Sequence, residues 1–164
     1  MIALLCVGIW ERDEGIYEAV APRCAGLEVD FLRGRHPADL AAPDLDLLAV
    51  SPGATGWAGA GAVNARTVLL PGAAGPLART LRTPCAVSYG TSPRDTLTFS
   101  SLEGDKICLS LQRELVCLTG GVCEQQELVL PFPPGLSPLP FLCAAGVLLL
   151  LGMSPERVME RWDP

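Results

Sequence analysis

The sequence predicts a three-layer α/β protein: a mostly parallel sheet, then a small antiparallel sheet and two C-terminal helices. Residues 1–90 alternate apolar runs with connections rich in glycine and proline, an order typical of parallel sheets. From residue 91 the apolar residues recur with period two, which indicates antiparallel strands with one solvated face. A chain of 164 residues is long enough for one such domain and short for two. We therefore expect a single domain over residues 1–164, with its parallel part at 1–90, its antiparallel part at 91–130 and its helices at 138–162.

The parallel part is predicted from short apolar runs that end at turn-forming residues. The first run is continuous rather than alternating, which favours a central strand covered on both faces. The predicted strands are residues 2–7, 27–32, 45–51, 67–70 and 86–89. The connections between them are helices at 14–24 and 73–82, a loop or single helical turn at 33–43, and a glycine-rich loop at 53–61.

The antiparallel part begins with a β-hairpin, because two alternating segments flank a short polar turn at residues 103–105. The strands of this part are residues 96–100, 106–111, 115–118 and 127–130, with Gly120 and Gly121 as the turn between the last two. The helices follow a proline-rich connector: residues 131–140 form the connector, residues 141–151 a buried helix, and Ser154 caps the last helix, which Pro155 and Glu156 begin.

Composition and charge exclude several classes of protein. A hydrophobic fraction of 49% with only 18% charged residues excludes a disordered chain. The net charge of −6 offers no basic surface, so nucleic acid is not an expected partner. Residues 1–9 lack the basic start and the cleavage site of a signal peptide, and the apolar segment 141–153 is shorter than the roughly 20 residues that span a bilayer. We expect a cytoplasmic protein with no membrane partner.

The seven cysteines are interpreted as small apolar core residues. Their odd number and the absence of a C-x-x-C pair favour free thiols in a reducing compartment. Cys117 and Cys123 are six residues apart, whereas zinc ligands usually show closer spacing. We therefore expect neither a metal nor another cofactor. The low charged fraction and the apolar C-terminal helix also leave open an assembly subunit, such as a homo-oligomer.

Short motifs follow one another through the C-terminal half. Val87-Ser88-Tyr89-Gly90 precedes Asp95-Thr96-Leu97-Thr98, and Ala144-Ala145 precedes Leu151-Gly152-Met153-Ser154-Pro155-Glu156. Over residues 83–162 this order resembles the central domain of Mur ligases. In that family a parallel strand ends in a Tyr-Gly or Phe-Gly turn, a small antiparallel sheet follows, and an Ala-rich helix leads into a Leu-Gly-Ile/Met-x-Pro-Glu segment. The resemblance implies a Rossmann-like fold.

The sequence departs from Mur ligases at the residues that carry their ATP-dependent chemistry. The only lysine, Lys106, lies in Gly104-Asp105-Lys106-Ile107-Cys108, which is not the G-x-x-x-x-G-K-[ST] phosphate loop. The family's magnesium-binding glutamate and histidine, its modified lysine and its C-terminal ligase domain have no counterpart, and Phe141-Leu142-Cys143 stands where an asparagine precedes the alanines. The resemblance therefore implies a degenerate, non-catalytic binding or interaction module.

The candidate ligand-binding residues follow the third, fourth and fifth predicted strands. Parallel strands present their carboxyl ends at one edge of a sheet, where α/β proteins bind ligands, and backbone N–H groups there can bind phosphate. The candidates are Ser51, Gly53, Thr55, Gly56, Gly72, Ser88, Tyr89 and Gly90. The alternative to the binding module is thus a small enzyme or sensor for a nucleotide or another phosphorylated metabolite. Ordinary turns and a small-residue loop explain the same residues without a ligand.

Other polar residues are weaker candidates. His36 is a possible general base, but a solvated loop histidine is the favoured interpretation. Glu11, Asp13 and Glu14 follow the first strand, where carboxylates can bind cations; a solvated helix start is favoured. Arg113 can clamp a carboxylate or phosphate, although pairing with acidic neighbours on the surface is favoured.

Overall fold

The computed structural model describes residues 4–41, 44–81, 83–132 and 136–162. The strands are β1 Leu5–Trp10, β2 Val29–Gly34, β3 Leu45–Val50, β4 Ala65–Pro71, β5 Cys85–Tyr89, β6 Leu97–Glu103, β7 Lys106–Leu111, β8 Leu115–Val116, β9 Val122–Cys123 and β10 Gln126–Pro131. The α-helices are α1 Ile16–Val20, α2 Leu77–Thr80, α3 Pro138–Leu150 and α4 Pro155–Trp162. Short 3-10 helices span Ala21–Cys24, Pro37–Leu40, Trp57–Ala62 and Gly72–Ala74.

An eight-stranded sheet forms the middle layer, in the order β10-β7-β6-β5-β4-β3-β1-β2. Strands β1 to β6 pair in parallel, and β7 and β10 extend the sheet with antiparallel pairing. A separate two-stranded antiparallel sheet consists of β8 and β9. The predicted fold class is confirmed. The strand order also reverses between β1 and β3, and such a switch point opens a crevice at the carboxyl ends of the strands.

Both faces of the sheet are covered, which accounts for the continuous apolar runs in its central strands. On one face, Ile9, Leu47 and Leu69 pack with α1, α3 and α4. On the other, Leu48 and Val68 pack with α2 and with the 3-10 helices Pro37–Leu40, Trp57–Ala62 and Gly72–Ala74. The three layers thus result from alternating side chains that each find an apolar partner.

Helix α3 is buried along nearly its whole length and closes the larger core. Phe141 is fully buried, with its ring centroid 5.5 Å from that of Phe132 and 4.7 Å from that of Trp162. At Gly146 a Cβ atom would lie 2.8 Å from Leu97 Cδ1 and 2.9 Å from Leu69 Cδ2, so the glycine lets the helix approach the sheet closely. No helix in the described ranges is long and apolar enough to cross a membrane.

Prolines and one glycine explain the main differences from the predicted elements. The two predicted helices break into shorter pieces at Pro22 and Pro76, because proline removes a helix hydrogen bond. Gly8 lies inside β1, although it was predicted to follow that strand, and a Cβ there would be 2.7 Å from Leu45 Cδ1. Helix α3 begins at Pro138 rather than residue 141.

The antiparallel region also differs in its pairing. The turn at Gly120 and Gly121 leads into β9, which was not predicted and which pairs with β8. Strand β10, predicted as residues 127–130, pairs instead with β7 in the main sheet. Four parts of predicted elements lie outside the described residues: 2–3, 42–43, 82 and 133–135.

The cysteines are free thiols, as predicted, but only Cys24, Cys123 and Cys143 are buried, and the prediction of a core residue is wrong for the exposed Cys85. Burial raises the pKa of Cys143 to about 12 and that of Cys24 to about 11. Both are therefore protonated at neutral pH and act as small core residues.

Candidate functional site

The predicted ligand-binding residues lie along one edge of the sheet, as their positions after parallel strands require. They fall into two separate groups. The first, here called the β1–β3 site, contains Ser51, Gly53, Thr55 and Gly56 together with the loop after β1. The second, here called the β4–β5 cleft, contains Gly72, Ser88, Tyr89 and Gly90.

Glu11, in the loop after β1, is the buried carboxylate of the β1–β3 site. It is only 3% exposed, and its Oε1 and Oε2 atoms accept hydrogen bonds of 2.9 Å from the backbone N–H groups of Ile16 and Tyr17. These N–H groups begin α1, where no helical acceptor is available and where the helix dipole favours negative charge. The prediction of a solvated helix start is therefore wrong for Glu11, although Asp13 is exposed and pairs with Arg35.

Glu14 organises the rest of this loop. Its Oε1 accepts from the N–H groups of Arg12 at 2.8 Å and Asp13 at 3.0 Å, and its Oε2 accepts from that of Gly53 at 3.1 Å. Burial acts to raise the pKa of Glu14, but the hydroxyl of Ser51 and these N–H groups outweigh burial and lower it. Ser51 and Gly53 thus face a carboxylate of the chain itself.

The lowered pKa of Glu14 makes stability depend on pH. Because folding favours the ionised form of Glu14, this carboxylate stabilises the protein at pH values above its ordinary pKa of 4.5. The stabilisation is lost as the pH falls through the lower pKa of the folded state. We expect Glu14→Gln to cost about 1 kcal/mol at neutral pH, since the group is partly exposed. The difference from the wild type should shrink below about pH 4. Urea unfolding at several pH values measures it.

Glu160→Gln is the matched control, because Glu160 is exposed on α4 and has no hydrogen bond to its side chain among the described residues. It should leave the pH dependence unchanged. A Glu14→Gln variant with the wild-type pH dependence would contradict the assignment.

Thr55 and Gly56 have structural roles in the same loop. The Trp10 indole N–H lies 3.1 Å from both the Thr55 and the Arg35 carbonyl oxygens, which ties the loop to β1 and β2. Gly56 has a φ of 85°, a conformation that favours glycine, and a Cβ there would lie 3.1 Å from His36 Nδ1. His36 itself is exposed, as favoured from the sequence.

The β4–β5 cleft is built around Asp95, which is only 5% exposed. Its Oδ2 accepts a hydrogen bond of 3.1 Å from the Ser92 N–H group. Its Oδ1 accepts none from the described residues. A Cβ at Gly72 would overlap Oδ1, and one at Gly90 would overlap Oδ2, so this buried carboxylate explains both glycines.

Two arginines border this cleft. Arg94 and Arg113 are exposed, and neither forms a salt bridge with the residues that the structure describes. Arg113 Nη1 donates a 2.8 Å hydrogen bond to the Arg94 carbonyl oxygen, whereas pairing with acidic surface neighbours was favoured from the sequence. Ser88 is also fixed here, because its Oγ accepts from the Thr96 N–H group at 3.4 Å.

The cleft has two adjoining openings of about 400 and 320 Å³, which share Gly72, Arg94 and Asp95. Tyr89 borders the larger one, but its side chain is fully buried and its hydroxyl donates to the Val50 carbonyl oxygen. Burial raises the pKa of Tyr89 well above its ordinary value. The Tyr89 hydroxyl therefore stabilises the protein rather than facing a ligand.

Sequence reasoning did not single out Asp95 or Arg94 as site residues. The one signal in the sequence was the pair of glycines at the ends of neighbouring strands, Gly72 and Gly90. Within the described ranges, no three His, Cys, Asp or Glu side chains are grouped so that they could hold a metal ion.

The mostly parallel sheet, the two C-terminal helices and the small antiparallel sheet together form an arrangement that known proteins share. No family model and no curated protein sequence matches the chain. Solved structures do match. A UDP-N-acetylmuramoylalanyl-D-glutamyl-2,6-diaminopimelate–D-alanyl-D-alanyl ligase from Acinetobacter baumannii superimposes with a TM-score of 0.66 and 10% identity, over 98% of this chain and 46% of the ligase. The chain has a Mur ligase-like fold.

Two structures of MurF from Acinetobacter baumannii give similar results. Their TM-scores are 0.63 and 0.61, with identities of 9% and 10%, and each covers 97% of this chain. The chain spans 44–46% of the length of these structures. The predicted resemblance is confirmed, and the Mur ligase-like fold covers nearly the whole described chain rather than residues 83–162 alone.

Proposed function

We propose that this protein is a non-catalytic, Mur ligase-like binding module of the cytoplasm, without ATP-dependent ligase activity. The observation that carries the proposal is that carboxylates of the chain itself accept hydrogen bonds from the N–H groups of the loop after β1. In nucleotide-binding α/β folds, the N–H groups between the first strand and its helix bind phosphates. Here Glu11 accepts hydrogen bonds from the backbone N–H groups of Ile16 and Tyr17. Glu14 accepts hydrogen bonds from those of Arg12 and Asp13.

These carboxylates disfavour the binding of a nucleotide in two ways. They already accept the hydrogen bonds that a phosphate would need, and their negative charges repel it. The chain also contains no lysine in the loop, since its only lysine is Lys106 in β7. The module therefore binds its partner or ligand elsewhere.

We expect the purified protein to show neither ATP hydrolysis nor binding of ATP with magnesium. Phosphate release and isothermal titration calorimetry measure the two properties. Magnesium-dependent hydrolysis that Glu11→Ala abolishes and Glu160→Gln retains would overturn the proposal, because it would make the β1–α1 loop catalytic.

A second candidate function is a sensor or small enzyme for a phosphorylated metabolite. The observation that favours it is the β4–β5 cleft, whose described lining contains two arginines, Arg94 and Arg113, and one carboxylate, Asp95, in a chain of net charge −6. This local excess of positive charge attracts anions. The binding module and the sensor differ in whether a small molecule alone occupies the cleft.

A further inference from the structure

We propose that the β4–β5 cleft binds a small phosphate monoester that carries hydroxyl groups, such as a sugar phosphate. In this proposal Arg94 and Arg113 bind the phosphate, and Asp95 Oδ1 accepts a hydrogen bond from a hydroxyl. The inference rests on the second candidate function, a sensor of a phosphorylated metabolite, and names its ligand class.

The anionic end of the ligand is inferred from the two guanidinium groups. Arg113 uses Nη1 to donate to the Arg94 carbonyl oxygen, which orients the guanidinium and leaves its other N–H groups for a ligand. Arg94 lines both openings of the cleft. Guanidinium groups bind phosphate oxygens through paired, charge-assisted hydrogen bonds.

The hydroxyl end is inferred from Asp95. Asp95 lines both openings of the cleft, and its Oδ1 accepts no hydrogen bond from the described residues, whereas its Oδ2 accepts one from the Ser92 N–H group. Because Gly72 and Gly90 have no side chains, there is space for the Asp95 carboxylate, which a Cβ atom at either position would overlap. The missing donor fits a ligand group at the cleft wall.

A hydroxyl fits this place better than an ammonium group does. Among the described residues, Arg94, Asp95 and Arg113 are the charged ones that line the smaller opening, and their charges sum to +1. A cationic ligand would be repelled there, whereas a neutral hydroxyl would not. The two openings, of about 400 and 320 Å³, also fall in the size range of small-molecule sites.

The test compares ribose 5-phosphate with inorganic phosphate and with ribose by isothermal titration calorimetry. We expect ribose 5-phosphate to bind more tightly than either fragment, because only it engages both the arginines and Asp95. Arg94→Gln and Arg113→Gln should each weaken its binding about tenfold, since each removes a charge-assisted contact. Asp95→Ala, which removes the hydrogen-bond acceptor, should remove the preference over inorganic phosphate.

The control is Arg157→Gln, since Arg157 is exposed on α4 and away from the cleft. Because Asp95 is buried, the fold of its variant is checked by circular dichroism; the two exposed arginine variants test the proposal even if that variant unfolds. Three results would each overturn the inference: no binding of ribose 5-phosphate at millimolar concentration, binding of inorganic phosphate or ribose with equal affinity, or tighter binding of a compound that carries an ammonium group in place of the hydroxyls.

The same sample is assayed with magnesium and ATP. A protein that neither hydrolyses ATP nor binds ribose 5-phosphate refutes the ligand class and leaves the non-catalytic module standing. A protein that hydrolyses ATP through the β1–α1 loop refutes the module itself, whatever the cleft binds.

Discussion

Replacing Phe141 with alanine is expected to lower the free energy of unfolding by about 3–5 kcal/mol, the usual cost of removing a buried phenylalanine ring. Phe141 is fully buried in the first turn of α3. Its ring contacts Phe132 beyond the end of β10 and Trp162 on α4. The variant therefore leaves a cavity at the junction of three segments and removes two aromatic contacts at once.

Urea unfolding followed by circular dichroism measures this loss. Val129→Ala is the control, because Val129 is 54% exposed on β10, and its loss should be small. A loss at Phe141 similar to that of the control would contradict the packing described for α3.

The second large effect is expected for Gly146→Val, which should destabilise the protein by roughly 1–3 kcal/mol or more. Glycine inside a helix is ordinarily unfavourable, so a change to a larger residue at an open position does little harm. At Gly146 the new side chain would meet Leu97 and Leu69 on β6 and β4. Helix α3 would have to move away from the sheet to make room.

Gly121→Val is the matched control, because a Cβ there has no atom within 4 Å and the residue does not need a positive φ. Thermal and urea unfolding compare the two variants. A Gly146→Val protein as stable as the wild type would show that α3 does not depend on this close approach.

Much of the fold could be predicted from local patterns, because strands β3 to β5 are apolar runs bounded by residues that form turns, and β6 and β7 alternate across a short polar turn. Gly8 misled the prediction, since a glycine after an apolar run usually marks a strand end. Here it admits the Leu45 side chain from a neighbouring strand, and no local pattern contains that information.

The candidate site was predictable only in part, for the same physical reason. The candidates follow parallel strands in the sequence, and this position was enough to predict that they lie at one edge of the sheet. The partners of these residues come from distant parts of the chain: Gly72 meets Asp95, and Gly53 meets Glu14. The burial of Glu11 likewise depends on the way α1 folds back over β1.

The strand order has a consequence for the solubility of this apolar chain. It leaves β2 and β10 as the edges of the main sheet, and unpaired edges invite aggregation through strand addition. Strand β2 carries exposed Asp30 and Arg33. Strand β10 carries exposed Glu127 and ends with Pro131, which has no N–H group to donate. Charge at both edges and proline at one thus oppose the growth of the sheet into fibrils.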